Sequence, residues 1–577
     1  MKEKIVDFLL QNVKYDLSGI NLLDIIEKPK KSENGDFSLP CFIMSKDLKE
    51  SPQNIANEIA NEFLKKLPDF LSDVKVMGGF VNFYANYAKQ SESVINEIID
   101  NSFKNKIKID KTQKILIEYP SPNTNKALHL GHSRNILLGN ALTNMLKKAG
   151  HNVIRANLNN DRGIAVCKTM LAYKLFANNK SPTSENKKPD HFVADLYVLY
   201  GQKNTEYPLM KLDEKAQEML VLWEKKDKET LDLWNKILAW VLEGYKDTYK
   251  RYKLPKFDKE YFESDIYDKG KDIIESAVKK GVKGFKKGEG SSIYFDFEDD
   301  TYGKKYLLRK DGTTIYMTQD IYLAYQKMND FSADKYIFIV ANEQGYHFEV
   351  LFKILESLGF GDSNKNYHFG YGMIYDKDGN VFSSRLGNTI GADDILDMIN
   401  DKALTNLKIK NKNMDDINSK AETIAYTALT FNMLKVNPLS DINFDIEKSL
   451  SFEGETGPYC LYTYARINSI LEKSDDKILL TNLNVDFSLF GELENSIVKM
   501  LKEYPETVID ACIKYKPSSI INYMIRLCQL FNEFYQNENI LKSDEQLKNG
   551  RLLILKCIKI ILDDAFEIFN IKPLKSM

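Results

Sequence analysis

The chain has 577 residues, 43% of them hydrophobic, which is enough for several domains with sizeable cores. Charged residues make up 28%, yet the net charge is only −2, which excludes polyanion binding by a global positive field and leaves it to local basic patches. The six cysteines (Cys41, Cys167, Cys460, Cys512, Cys528, Cys557) show no C-x-x-C spacing and fit reduced, mostly buried thiols in a cytosol. No apolar run is long enough to span a membrane, and Met1 to Lys14, an amphipathic helix interrupted by Asp7, lacks a signal-peptide core. A cytoplasmic protein is expected.

Residues 1–110 read as a small α+β unit. Ser51 can cap a helix over Pro52–Leu67, where Ile55, Ile59 and Phe63 share a face. Val76–Tyr84 alternates and carries Gly78-Gly79, which predicts one strand with a bend. Lys28, Lys30 and Lys31 precede the turn Glu33-Asn34-Gly35-Asp36 in what reads as a solvated loop. Lys104–Lys114 is a lysine-rich linker.

Residues 111–395 carry a nucleotide-type fold. Ile115–Tyr119 is a strand that ends in Pro120-Ser121-Pro122. From Ser133, the residues Ile136, Leu137, Leu142, Met145 and Leu146 recur with helical spacing, and Gly150 suits a left-handed C-terminal cap. Val153–Ala156 is a second buried strand, so the stretch is a βαβ unit with a right-handed crossover. At the helix start stands His129-Leu130-Gly131-His132. Free N–H groups and partial positive charge there suit a phosphate, and Gly131 allows close backbone approach. Two surface histidines or half a metal site would give the same four letters. A strand before and a helix after are what the nucleotide reading requires, and a metal would lack ligands in a chain with six histidines and no cysteine nearby.

A helical insertion is predicted over about 171–288, with Glu214–Arg251 as a long charged helix. Leu307-Leu308-Arg309 and Thr314–Met317 flank Asp311-Gly312, a hairpin signal, and a helix follows from about Thr318. That places Tyr316 and Asp320 together at the sheet edge. The strand Tyr336–Val340, the loop Asn342-Glu343-Gln344-Gly345 and the helix Tyr346–Leu358 repeat the strand–loop–helix order, which makes the sheet doubly wound. Met373–Ile390 reads as a hairpin through Asp378-Gly379, followed by an anion-contacting loop with Ser383, Ser384, Arg385 and Gly387. The rest is helical: a connecting region over 396–455 and an all-α domain over 456–577, where Tyr459, Tyr462, Tyr464 and Arg466 either stack RNA bases or form a helix core.

Taken in order, these motifs are similar to those of the arginyl-tRNA synthetases, class I aminoacyl-tRNA synthetases, nearly end to end. Ser121-Pro122-Asn123 through His129-Leu130-Gly131-His132 resembles the family's HIGH segment, and Arg155-Ala156-Asn157 through Asp161-Arg162-Gly163 the strand and loop after it. Asp311-Gly312-Thr313 to Asp320 resembles the arginine-pocket hairpin. Phe382 to Asn388 resembles a degenerate KMSKS loop, and Gly457-Pro458-Tyr459 to Leu471 the start of the anticodon-binding domain. Gly35-Asp36-Phe37 and Gly79-Phe80-Val81-Asn82 are similar to the N-terminal domain that touches the tRNA elbow in the family. The resemblance implies a multidomain α/β protein: a Rossmann-like doubly wound catalytic domain, an α+β N-terminal domain and an all-α C-terminal domain. By the same resemblance, the connecting region over 396–455 is expected to contact the tRNA stem.

It also implies the reaction. Arginine and ATP give arginyl-adenylate and pyrophosphate, and the arginyl group then moves to the terminal ribose of an arginine tRNA. Mg2+ is expected on the ATP phosphates, with no structural metal, and a monomer is the family default. A permanently charged planar guanidinium is best read by a carboxylate, which is expected from Asp320 with Tyr316 and Gln344 framing the pocket. Ser121, Pro122, Asn123 and His132 are expected at the amino-acid backbone, with Glu118 supporting Asn123 or meeting a cation. His129 and His132 would stabilise the α-phosphate, with Gly131, Ser383 and Ser384 also at ATP. Val381 and Ser384 occupy both lysine positions of the signature loop, so Lys126 or Arg385 is expected to supply the missing cation. A nucleotidyltransferase of the same HxGH superfamily, or a synthetase-like scaffold, are the competing readings. Charging of tRNA with arginine, against lysine and cysteine, separates all three.

Overall fold

The computed structural model describes residues 1–29, 34–298, 301–362, 364–376, 379, 390–410, 416–474 and 485–577. The chain forms two compact units. One comprises Met1–Phe103, Ile467–Tyr504 and Gln529–Ile561, and the other Lys104–Arg466, Pro505–Cys528 and Leu562–Met577.

In the first unit, β1 (Phe37–Pro40), β2 (Leu71–Met77) and β3 (Phe80–Ala85) form an antiparallel sheet in the order β1-β3-β2. The helix Pro52–Lys65 starts where expected, with the Asn54 N–H donating to Ser51 Oγ at 3.2 Å, and it buries Ile55, Ile59 and Phe63. The single bent strand predicted over Val76–Tyr84 is instead a hairpin. Met77 pairs with Phe80, and Gly78 and Gly79 both take positive φ, which reverses the chain in two residues. The Gly35-Asp36 motif has a structural use here: a Cβ on Gly35 would lie 2.8 Å from the Phe83 carbonyl, and Asp36 accepts the Ala85 N–H at 2.8 Å.

The second unit is built on a five-stranded parallel sheet. Its strands are β4 (Lys114–Glu118), β5 (Asn152–Asn159), β6 (Lys259–Phe262), β10 (Lys335–Ala341) and β11 (Asn366–Tyr371), in the order β11-β10-β4-β5-β6. The chain moves outward from β4 through β5 to β6, then returns to pair β10 on the other side of β4. That reversal is the switch point of a doubly wound sheet, and it opens a crevice at the carboxyl ends of β4 and β10. β6 lies inside the stretch predicted to be helical; it is a short, charged edge strand. The predicted helix Glu214–Arg251 is two helices, Leu212–Glu224 and Lys228–Arg251, because Lys226 turns left-handed and Asp227 caps the second by accepting the Thr230 N–H.

β7 (Phe285–Lys287), β8 (Ile293–Asp296) and β9 (Lys304–Leu308) make a small antiparallel sheet. After β9 the predicted hairpin is reduced to one bridge, Leu308 with Thr314, and the next helix, Tyr316–Phe331, begins two residues earlier than predicted. The predicted hairpin at Met373 is not observed in its described part: Ile374–Tyr375 pairs in parallel with Ile442–Asn443. Beyond residue 456 the described chain is almost wholly helical, in Gly457–Lys473, Glu492–Ile513, Ser518–Asn537 and Glu545–Ile568. Tyr464 is buried and bonds Asp563 at 2.7 Å, which is core use and not base stacking. Among the described residues, no helix is long and apolar enough to cross a membrane.

Candidate active site

The crevice at the switch point is a cleft of about 520 Å³. Eight predicted site residues line it: Glu118, Ser121, His129, Gly131, His132, Tyr316, Asp320 and Gln344. Pro122, Asn123 and Lys126 are on the adjoining loop but outside the lining. Val381, Ser383, Ser384 and Arg385, and with them the Phe382–Asn388 loop, lie outside the described residues.

The histidine motif is built by the start of the helix Leu130–Lys148. His129 is the N-cap, so the motif stands at the helix start as expected. The Gly131 N–H donates to His129 Nδ1 and the His129 N–H donates to His132 Nδ1, each at 3.1 Å. Both Nδ1 atoms are therefore acceptors, which puts the proton of each neutral ring on Nε2. Burial, with Lys126 adding, lowers His129 to about 4, and burial, His129 and Lys126 push His132 well below its ordinary value. At neutral pH the motif thus offers two uncharged N–H donors. Gly131 has a use beyond the close approach expected of it: a Cβ there would stand 3.0 Å from His129 Cε1 and crowd the capping ring.

The helix is fixed from below as well as at its start. A Cβ on Gly139 would lie 2.2 Å from the Tyr119 ring, so glycine is what lets the helix settle on the end of β4. The C-terminus closes as expected at Gly150 (φ +98°): its N–H donates to Lys147 O, and the His151 N–H to Leu146 O. Arg134 is fully buried and donates to the carbonyls of Gly372, Pro438 and Ser440 at 2.6, 3.1 and 2.9 Å. That ties the helix to Gly372, which lines the cleft beside Met373.

The loop after β4 is held from several sides. Ser121 has φ +52°, and its N–H donates to Asn157 Oδ1 at 3.1 Å. Its Oγ is buried in the cleft wall and has no hydrogen-bond partner among the described residues. Tyr245, from the helix Lys228–Arg251, donates to the carbonyls of Asn123 and Lys126, at 2.8 and 2.7 Å. Sequence reading missed it, because the contact spans more than a hundred residues.

Of the acidic residues that line the cleft, Asp320 and Glu118 each have a basic partner that was also missed. Asp320 Oδ2 lies 2.7 Å from His347 Nε2. Its charge is the main reason the Tyr316 phenol, one helical turn back, is raised above its usual range. Glu118 forms a buried ion pair with Lys327; of the two roles expected for Glu118, the described structure contains the meeting with a cation. Tyr316, Asp320 and Lys327 fall on one face of one helix, the only local signal that could have found Lys327. Outside the cleft lining, the Glu263 carboxyl just past β6 is pushed up to about 7 by burial, with Arg162 opposing and Asp161 and Asp320 adding.

Comparison with known proteins agrees with this geometry. The family model for the catalytic domain of class I tRNA synthetases (R) matches residues 94–446, the DALR anticodon binding domain 460–577, and the arginyl tRNA synthetase N terminal domain 3–85. The arginine–tRNA ligase of Treponema denticola is 38% identical over 96% of this chain and 94% of its own length. The chain belongs to the arginyl-tRNA synthetase family.

The arginine–tRNA ligase of Borrelia turicatae is 37% identical, covering 99% of this chain and 96% of that protein. Among solved structures, the Thermus thermophilus arginyl-tRNA synthetase shares the fold with a TM-score of 0.74 at 22% identity, over 100% of this chain and 99% of the other. The fold class expected from sequence is therefore the observed one.

Proposed function

We propose that this cleft is where an arginine–tRNA ligase activates arginine with ATP before transfer to tRNA. The carrying observation is that one crevice at the switch point is lined both by His129, Gly131 and His132 and by Asp320 with Tyr316 and Gln344. The first group suits an α-phosphate and the second a guanidinium, and the reaction needs both in contact with one small amino acid.

Arginine's guanidinium is held by Asp320, whose carboxylate is aimed by His347. Its α-amino and carboxylate end sits at Ser121, Asn123 and Pro122, and the buried Ser121 Oγ, without a partner among the described residues, supports that placement. Glu118 lines the arginine side, neutralised by Lys327. The arginine carboxylate oxygen attacks the α-phosphorus of ATP, and pyrophosphate leaves with the electron pair of the broken P–O bond. The Nε2–H donors of His129 and His132 follow the charge that builds on the phosphate oxygens. Lys126 supplies positive charge in place of the missing signature-loop lysine, and its field already reaches both imidazoles. A hydroxyl of the tRNA terminal ribose then attacks the adenylate carbonyl and AMP leaves. No covalent enzyme intermediate is needed, so positioning and electrostatics carry the rate.

ATP enters as its magnesium complex. Among the described residues, the one cluster of three carboxylate and histidine ligands close enough for a metal, Asp190, His191 and Asp393, already encloses the Lys188 ammonium. The arginine tRNA is the third substrate, the cytosol the compartment, and a monomer the acting form. The test is charging of purified tRNA with labelled arginine, with lysine and cysteine as controls. Arginine alone should be attached; no attachment of any of them would overturn the proposal.

A further inference from the structure

The charged knot around Asp393 has no place in the reaction as described, yet it is tied to the catalytic histidines through backbone. Asp393 is in the first turn of the helix Ala392–Lys410 and is 5% exposed. Its Oδ2 accepts from Lys188 Nζ at 2.8 Å and Thr248 Oγ1 at 2.7 Å, and its Oδ1 from Arg251 Nη1 at 2.9 Å. Lys188 also meets Asp190, which is fully buried. Three insertion residues thus converge on one carboxylate. Against the effect of its own burial, the neighbouring His191, the Lys188 ammonium and the Thr248 hydroxyl hold Asp393 below the usual carboxylate range.

Directly before Asp393 the chain runs alongside the histidine motif. The Leu130 N–H donates to Ile390 O at 3.1 Å, and the Ala392 N–H to Leu128 O at 2.8 Å, forming an antiparallel bridge between His129 and Gly391. The Tyr252 hydroxyl, next to Arg251, bonds Ala392 O and Ser133 Oγ, both at 2.7 Å. The backbone of His129 is therefore gripped by a rung whose far end is anchored at Asp393.

We propose that Asp393 is a positioning residue for adenylate formation, which holds the Ile390–Ala392 rung against Leu128–Leu130 and so fixes the His129 imidazole over the α-phosphate. Asp393 touches no substrate. It acts by transmitting the rigidity of the helices Pro189–Glu206 and Lys228–Arg251 to the cap of the catalytic helix. A buried carboxylate that accepts from an ammonium, a guanidinium and a hydroxyl has one geometry that satisfies all three, which is what a fixed anchor requires. Displacing a reacting group by about 1 Å costs on the order of a hundredfold in rate, so a loose rung should be visible in kcat.

The inference rests on His129 acting at the phosphate, and the experiment separates the two. ATP–pyrophosphate exchange with tRNA present is measured for wild type, Asp393→Asn, Thr248→Val, Asp397→Asn and His129→Gln, together with histidine ring NMR. With six histidines in the chain, His129 is assigned from the missing signal of His129→Gln. Asp393→Asn should lower kcat about 10- to 100-fold with the arginine KM within about threefold, and should move the His129 resonance. Thr248→Val, which keeps the charge knot and folds where Asp393→Asn does not, should show the same pattern at about three- to tenfold. Asp397→Asn, which removes only an exposed partner of Arg251, should leave both readouts unchanged. An unmoved His129 resonance, or a loss expressed in KM alone, would overturn the role of Asp393. Full exchange activity in His129→Gln would instead overturn the reading of His129 itself.

Discussion

Asp320 and His347, 27 residues apart in sequence, meet at 2.7 Å on the wall of the cleft. The contact fixes where the carboxylate points before a guanidinium arrives. His347→Leu should raise the arginine KM about 5- to 20-fold with a smaller change in kcat, as expected for losing one hydrogen bond to a charged group of about 1–2 kcal/mol. ATP KM should not move. Steady-state exchange at varied arginine and varied ATP measures both.

The neutral state of His129 has a consequence for stability. Its folded pKa is lowered to about 4, whereas the unfolded chain titrates near the ordinary histidine value. Between those two values the unfolded state binds the extra proton and the folded state does not. Stability therefore falls as pH drops from about 6.5 to about 4, by up to about 3 kcal/mol from this group. Denaturant unfolding at pH 7 and pH 4.5 should show a smaller acid loss in His129→Gln than in wild type.

Lys126 is expected to provide the charge that the signature loop lacks. Lys126→Ala should slow adenylate formation by roughly one to three powers of ten, the usual cost of a lost transition-state charge contact. The same change should raise the pKa of His129, since the Lys126 charge helps lower it. ATP–pyrophosphate exchange with tRNA and histidine titration by NMR read the two effects; unchanged exchange would remove Lys126 from the mechanism.

Glu118 and Lys327 form an ion pair that is almost wholly out of solvent. Breaking one side leaves a buried charge alone. Lys327→Met should destabilise the protein by about 3–5 kcal/mol, and Glu118→Leu with Lys327→Met together by less than Lys327→Met alone. A double-mutant cycle in denaturant checks it; simple additivity would mean the pair is not coupled.

Local patterns made much of the central sheet legible. The β-rich run ending at Pro120, the helical spacing after Ser133 and Gly150 each report a nearest-neighbour preference, and the structure places the strand, helix and cap accordingly. β6 was hidden because four residues with two charges, Lys259 and Glu260, carry no apolar run at a sheet edge. The hairpin at Gly78-Gly79 was read as a bend because alternation continues through both arms, and only the paired positive φ values tell a reversal from a kink. His347, Lys327 and Tyr245 were missed for a different reason. Their partners are 27, 209 and about 120 residues away, and no local rule points across such distances.

In the proposed reaction, Asp320 reads the guanidinium in the cleft where the imidazoles hold ATP. The most direct measurement is ATP–pyrophosphate exchange, with tRNA, for arginine and its uncharged isostere citrulline, in wild type and Asp320→Asn. The preference for arginine should fall by about 30- to 150-fold in the variant, the equivalent of about 2–3 kcal/mol for a charge-assisted contact, while the ATP KM stays within about twofold. An Asp320→Asn enzyme that keeps both its arginine KM and its discrimination against citrulline would contradict the account.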